Sequence, residues 1–105
     1  MTQLIGTWDV SMRTPIGTMR AVMTFRDDNG TYQGEAESKT ETTPLLDLDV
    51  QSGATEDHVT WSQTITTPMR LQLAFDVTVR GTQMTGHSRA GRLPRTTVTG
   101  VRRAD

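Results

Sequence analysis

Residues 69–79 read Met-Arg-Leu-Gln-Leu-Ala-Phe-Asp-Val-Thr-Val, and this stretch has the most regular pattern in the chain. Apolar side chains occupy every second position from Met69 to Val79, and mostly polar side chains lie between them. Successive side chains of a β-strand point to opposite faces, so a period of two predicts a strand with one buried and one wet face. Other segments repeat this period, and none keeps a helical period of 3.6 residues. The sequence therefore predicts an all-β protein.

Seven further segments alternate in the same way, which gives eight predicted strands. In chain order the eight are 8–13, 19–26, 32–37, 46–50, 59–65, 69–79, 84–88 and 98–102. The connections are short and rich in glycine, proline, asparagine and aspartate, which favour tight turns. Short links join antiparallel neighbours, since parallel strands need a crossover of a dozen or more residues. We therefore expect an eight-stranded antiparallel up-and-down meander, closed into a barrel because closure removes the exposed edges of an open sheet.

The two tryptophans indicate an internal repeat. Trp8 and Trp61 each follow a threonine, and each stands seven residues before the proline of a Thr-Pro pair. Such self-similarity predicts two related four-stranded halves, approximately residues 4–52 and 57–103. A chain of 105 residues is long enough for one modest core and too short for two, so residues 1–105 are expected to form a single domain.

Composition excludes several classes of function. The chain has no cysteine, so it has no disulfide framework, thiol nucleophile or Cys-based metal site. His58 and His87 lie on different predicted strands and make a poor metal site, and we expect neither a metal nor a cofactor. A net charge of −1 argues against nucleic acid as a partner, and no apolar run approaches the ~18 residues of a membrane helix. These features together favour a cytoplasmic protein.

Gly6-Thr7-Trp8, at the start of the first strand, resembles the Gly-x-Trp signature of the lipocalins and the wider calycins. In that family a basic residue on the last strand packs across the tryptophan at the closed end of the barrel, and Arg102 matches this position. The resemblance implies that Gly6, Trp8 and Arg102 close one end of a lipocalin-like barrel. It also implies a lumen that binds a small apolar molecule, and a minority of the family are isomerases or cyclases. The chain is shorter than lipocalins usually are.

The inward face of the predicted strands is lined by aromatic residues and methionines, which adapt well to varied apolar ligands. Trp61 is the first candidate for ligand contact, because it lacks the glycine and arginine partners of Trp8 and is free to line the lumen. An eight-stranded barrel is either filled by side chains or holds one small ligand, and the sequence leaves both open. The candidate ligand contacts are Trp61, Gln63, Tyr32, Met12, Met23, Phe25, Met69, Leu71, Leu73, Phe75 and Met84.

Small inward residues bear on this question. They either leave space in the lumen or let large neighbours fill it; they are Ala21, Gly34, Ala36, Gly86, Ser88 and Gly100.

Three functional hypotheses follow. The first is a protein that holds a small hydrophobic or amphipathic molecule in the barrel lumen. The second is a small isomerase or cyclase in which Tyr32, Gln63 or Arg102 steers a hydrophobic substrate. The carboxylates of the predicted strands and both histidines are phased outward, which argues against acid–base catalysis in the lumen.

The third hypothesis is a structural or interaction module that self-associates as a homo-oligomer, such as a homodimer. Residues 1–57 carry a net charge of −6 and residues 58–105 a net charge of +5, and complementary faces favour association. In the basic part, Arg89, Arg92 and Arg95 offer a site for a carboxylate or phosphate at the barrel rim.

Overall fold

The computed structural model describes residues 3–14, 17–66 and 70–104, which form one antiparallel sheet of nine strands. Consecutive strands pair with each other except β4 with β5, and β1 also pairs with β9. The sheet therefore curls into a nearly closed up-and-down barrel, which confirms the predicted all-β antiparallel architecture. The strands are β1 Gly6–Thr14, β2 Gly17–Asp28, β3 Thr31–Glu37, β4 Thr42–Pro44, β5 Leu46–Ser52, β6 Asp57–Ile65, β7 Leu71–Arg80, β8 Gln83–Arg89 and β9 Thr96–Arg102.

The described residues form nine strands, where the alternation predicted eight, because residues 42–44 make a short additional strand. β4 pairs with β3, whereas β5 pairs with β6. Between the two, the Leu45 amide still donates to the Gly34 carbonyl at 2.9 Å. The segment from Thr42 to Ser52 thus pairs first with β3 and then with β6. The gap in the barrel wall lies between β3 and β6, where the segment passes from one strand to the other. Five of these strands fall in the first predicted half and four in the second, and the relation between the halves stays a prediction.

This crossing also changes which side chains face the core. Thr43 and Leu45 are buried in the first part of the segment, whereas Leu48 and Val50 are the partly buried residues in the second. The phase moves by one residue at a β-bulge between Leu46 and Asp49. One extra residue in a strand turns every later side chain to the other face. The alternation of Leu46, Leu48 and Val50 predicts that Leu46 points inward, and this prediction is wrong, since the residue is 44% exposed.

The core runs along the inside of the barrel. Its centre is an aromatic cluster in which Trp61 stacks on Phe75, with ring centroids 4.8 Å apart and planes 10° apart. Phe25 meets the same indole edge-on at 5.5 Å. The inward alternation that the sequence predicts for β1, β2, β6 and β7 is present in the burial of these strands. Offset stacking and edge-to-face contacts of this kind are the preferred aromatic geometries.

One end of the barrel is closed by the chain that precedes β1. Leu4 is fully buried there, and its carbonyl accepts a hydrogen bond from Trp8 Nε1 at 2.8 Å. The backbone N–H of Gln3 donates to the Asp57 carboxylate at 2.9 Å, and Asp57 is itself only 3% exposed. This segment fixes the closed end, so access to the lumen is left to the opposite end, where β1, β6 and β8 finish. No helix within the described ranges is long and apolar enough to cross a membrane.

Candidate functional site

A cavity of about 280 Å³ occupies the end of the lumen opposite Trp8. It opens between the ends of β1, β6 and β8 and the starts of β2, β7 and β9, and the β8–β9 loop forms one side of its mouth. Its wall is mostly apolar. The wall residues are Met12, Thr14, Met19, Gln63, Ile65, Leu71, Leu73, Ser88, Arg89, Ala90, Leu93, Pro94 and Thr96.

The space exists because side-chain size changes along the lumen. At the level of the aromatic cluster, Trp61 pairs with Phe75 across β6 and β7, and the two rings stack. Phe75 is in turn opposite Ser88 of β8, and Ser88 is opposite Thr96 of β9. These two small inward residues cannot fill the volume that an aromatic side chain would take. The lumen therefore remains open on the β8 and β9 side, between the aromatic rings and the open end of the barrel.

The other small inward residues leave no comparable space. A Cβ atom on Gly34 would lie 2.9 Å from Leu45 Cδ1, and one on Gly86 would lie 2.6 Å from the Val77 Cα. Their neighbours already occupy the room that a side chain would need. Of the small residues that the sequence singled out, Ser88 is the one that borders the large cavity.

The structure divides the predicted ligand contacts into two groups. Met12, Gln63, Leu71 and Leu73 lie together on the cavity wall. The other described candidates lie elsewhere: five are buried in the core, and one is partly buried at the start of β3. These are Trp61, Phe25, Phe75, Met23 and Met84 in the core, and Tyr32 beside the β2–β3 turn. Met69 lies outside the described residues.

The sequence places arginines of the β8–β9 loop at the barrel rim, but it does not predict that apolar residues of this loop line the cavity. Leu93 is 54% exposed at the mouth, and Pro94 and Ala90 line the wall beside it. An exposed leucine in a loop otherwise rich in glycine and arginine was the available signal. The alternation in the strands says nothing about where such a loop folds, so the signal points to no particular site.

Three polar atoms inside the barrel have no hydrogen-bond partner among the described residues: Thr43 Oγ1, Trp61 Nε1 and Gln63 Oε1. Gln63 and Thr43 both line a second, smaller chamber of about 40 Å³ next to the large cavity. Gln63 also lines the large cavity, so it stands between the two spaces. A buried polar group without a partner costs about 1–3 kcal/mol, so each of these atoms needs an explanation.

Titratable side chains are scarce around the large cavity. Arg89 is the one charged residue among its described wall residues, and that wall contains neither a carboxylate nor a histidine. Glu41 borders the smaller chamber, where its carboxylate accepts hydrogen bonds from the amide and hydroxyl of Thr66 at 2.9 and 2.6 Å. General acid–base catalysis needs a positioned proton donor or acceptor at the substrate. The large cavity offers apolar contact and neutral hydrogen-bonding groups instead.

The predicted closure residues, Gly6, Trp8 and Arg102, lie at the closed end of the barrel. Arg102 is directly across from Trp8 in the β1–β9 ladder, and its Nη1 is 3.5 Å from the Ile5 carbonyl oxygen. Gly6 has a φ of 135°, and a Cβ atom there would lie 3.2 Å from Arg102 Cδ. The arginine stem thus crosses over Gly6, which explains why a glycine suits this position. Stacking of the guanidinium on the Trp8 indole stays a prediction.

An outer groove crosses β6, β7 and β8 on the solvent side of the barrel. His58 Nε2 lies 2.6 Å from the Asp76 carboxylate, and His87 is opposite Asp76 in the next strand. These groups are at least partly exposed, and within the described ranges no three His, Cys, Asp or Glu side chains cluster as a metal site would require. Asp47 shares the groove with Arg89 and Arg95, so acidic and basic side chains meet on this face.

Comparison with protein-family models, with curated proteins and with solved structures returned no match for this chain.

Proposed function

We propose that this protein is a lipocalin-like binding protein that holds one small apolar or amphipathic molecule in the open end of its barrel. The observation that carries the proposal is the cavity of about 280 Å³, which has an apolar wall and a mouth beside the β8–β9 loop. Small-molecule sites are typically concave, mostly apolar and supplied with a few polar groups that orient the ligand. Gln63, Ser88 and Arg89 supply such groups here.

The cavity volume sets the size of the ligand. An apolar cavity of about 150 Å³ holds one benzene molecule, so a space of about 280 Å³ holds roughly a dozen non-hydrogen atoms. A bicyclic aromatic compound or a short branched chain has this size. A long acyl chain would need to extend past Leu93 into solvent. Naphthalene derivatives are therefore suitable probes.

Binding is favoured over acid–base catalysis by the chemistry of the wall. The predicted isomerase or cyclase would have to act by shape and by neutral hydrogen bonds, because the described wall brings neither a carboxylate nor a histidine to the ligand. Of the three residues proposed to steer a substrate, Gln63 alone borders the cavity, while Tyr32 and Arg102 are found elsewhere in the barrel.

Occlusion of the cavity tests the proposal. Leu71 lies on the wall, and Gln72, the next residue, is exposed on the outer face. Leu71→Trp would fill much of the cavity, whereas Gln72→Trp adds the same side chain outside it. We expect 2-naphthol to bind the wild type and Gln72→Trp equally in isothermal titration calorimetry, and to bind Leu71→Trp at least about tenfold more weakly. Circular dichroism and urea unfolding would establish that both variants fold.

Equal affinity of all three proteins would show that the probe binds outside the lumen. The absence of binding to the wild type by any naphthalene probe would refute the proposed function directly.

A further inference from the structure

The Gln63 side chain is a neutral hydrogen-bonding group placed in an apolar wall. It is 4% exposed, and its Oε1 atom has no partner in the described part of the chain. Its neighbours on the inward face are apolar: Leu73 is directly across the ladder, and Ile65 is two residues along the same strand. A methionine would fill the same volume without leaving an unpaired polar atom. Packing therefore does not explain a glutamine here.

A structural water is one way to satisfy this amide. The chamber of about 40 Å³ that Gln63 shares with Thr43 has room for one or two waters. Thr43 Oγ1 is also without a partner among the described residues, so a water that bridges the two groups is chemically reasonable. That arrangement would hold in the empty protein, but it does not explain why the same glutamine also borders the large cavity.

We propose that Gln63 recognises a hydrogen-bond donor on the ligand, so that the natural ligand is a mostly apolar molecule whose buried part carries a neutral hydroxyl or N–H group. The unpaired atom is a carbonyl oxygen, which accepts and cannot donate. The buried group is neutral because the one charge on the described wall, Arg89, stands at the mouth. A charge buried without a partner would be strongly unfavourable. This inference rests on the proposed binding function and names the chemistry that the site selects.

Two probes of equal size separate the hydrogen bond from apolar contact. 2-Naphthol and 2-methylnaphthalene differ by a hydroxyl in place of a methyl group, and both are small enough for the cavity of about 280 Å³. Gln63→Met keeps the side-chain length and removes the acceptor. Gln72→Met, at an exposed position of the neighbouring strand, is the matched control. Calorimetry at pH 7 would give the dissociation constant of each probe for wild type and both variants.

We expect Gln63→Met to weaken 2-naphthol about tenfold relative to 2-methylnaphthalene, since a buried hydrogen bond typically contributes a factor of this order. Gln72→Met should leave the ratio of the two dissociation constants unchanged. Gln63→Met should also raise the melting temperature of the empty protein, because it removes a buried polar atom that has no partner among the described residues. Gln63→Leu would repeat the measurement if the methionine variant does not fold.

An unchanged ratio in Gln63→Met would overturn the inference while leaving the binding function intact. An unchanged ratio accompanied by a lower melting temperature would assign Gln63 to a structural water instead. If neither probe binds the wild type, the proposed function itself fails, and that result is distinguishable from the other two.

Discussion

At the scale of single residues, Gly86 and Gly100 show how differently two inward glycines depend on their surroundings. A Cβ atom on Gly86 would clash with the Asp76 carbonyl oxygen and would lie 2.6 Å from the Val77 Cα. These are backbone atoms, which cannot move aside without disturbing the β7–β8 ladder. A Cβ atom on Gly100 would meet Met84 Cβ at 3.3 Å and Val10 Cγ2 at 3.4 Å, close to ordinary contact.

We therefore expect Gly86→Ala to lower the free energy of unfolding by about 3 kcal/mol, the upper part of the usual range for overpacking. Gly100→Ala should cost about 1 kcal/mol or less, since alanine also restricts the unfolded chain. Urea unfolding followed by tryptophan emission would measure both. Equal stability of the two variants would show that the backbone of the β7–β8 ladder shifts to accommodate the added methyl group at little cost in free energy.

Asp9 and Arg103 form a bidentate ion pair on the surface. Two guanidinium nitrogens donate to the two carboxylate oxygens at 3.0 and 2.8 Å. The hydrogen bonds from Arg103 lower the pKa of Asp9 from its ordinary value of 3.8. A carboxyl whose pKa is lower in the folded protein stabilises that state above its unfolded pKa, and the effect disappears as pH falls through the folded pKa.

Asp9→Asn should accordingly reduce stability at pH 7, and the difference from wild type should shrink between pH 7 and pH 2 as the pH falls through the lowered pKa of the Asp9 carboxyl. The difference in urea midpoint between wild type and variant, measured across this range, reports the effect. Both side chains are largely exposed, so a small difference that salt reduces further is expected. A difference that does not shrink as the pH falls would assign the effect of the substitution to something other than charge.

At the scale of elements, the segment of β4 and β5 is the part of the fold that alternation described least well. The pattern Leu46, Leu48, Val50 predicts one inward face, and the strand itself is present. The bulge moves the phase, and Asp47 adopts a φ of 53° there. Aspartate tolerates the left-handed region better than most residues but is common in other conformations too. The sequence therefore contains no unambiguous sign of the bulge.

The bulge predicts that substitution of two adjacent leucines changes stability by very different amounts. Leu45 is 7% exposed and packs over Gly34, whereas Leu46 is 44% exposed. Leu45→Ala should lower the free energy of unfolding by about 3 kcal/mol, as is usual for a buried leucine. Leu46→Ala should change it by less than about 0.5 kcal/mol. The reverse order, measured by urea unfolding, would mean that the strand follows the unbroken alternation.

At the scale of the whole molecule, the sequence predicts the barrel better than it predicts the cavity. Periodicity is a property of each strand, so Val10, Phe75 and Val77 could be placed inward from local pattern alone. A cavity depends on volumes summed over six strands and a loop. Trp61 illustrates the difference: its inward direction was predictable, but its edge-on contact with Phe25 joins β6 to β2, a strand that is distant in sequence.

The distribution of charge leads to a prediction about the cavity mouth. The described ion pairs neutralise Arg26, Arg80 and Arg103. Arg89 makes no ion pair with a described carboxylate, and its Nε donates to the Leu93 carbonyl at 3.0 Å, which holds the side chain at the rim. Arg92 and Arg95 add positive charge in the same loop, so the mouth should attract an anionic group on a ligand whose apolar part lies inside.

2-Naphthoate and 2-acetonaphthone have nearly the same shape but differ in charge, so they isolate this effect. Arg89→Gln should weaken 2-naphthoate about threefold to tenfold and leave 2-acetonaphthone nearly unchanged, because a partly exposed charge pair contributes modestly. Raising the ionic strength should reduce the preference of the wild type for the anion, since salt screens exposed charges. Arg13→Gln, which removes an exposed arginine of β1 that does not line the cavity, is the matched control. If Arg89→Gln weakened the affinity for both ligands equally, the arginine would support the loop through its hydrogen bond to Leu93 and would not interact with the charge of the ligand.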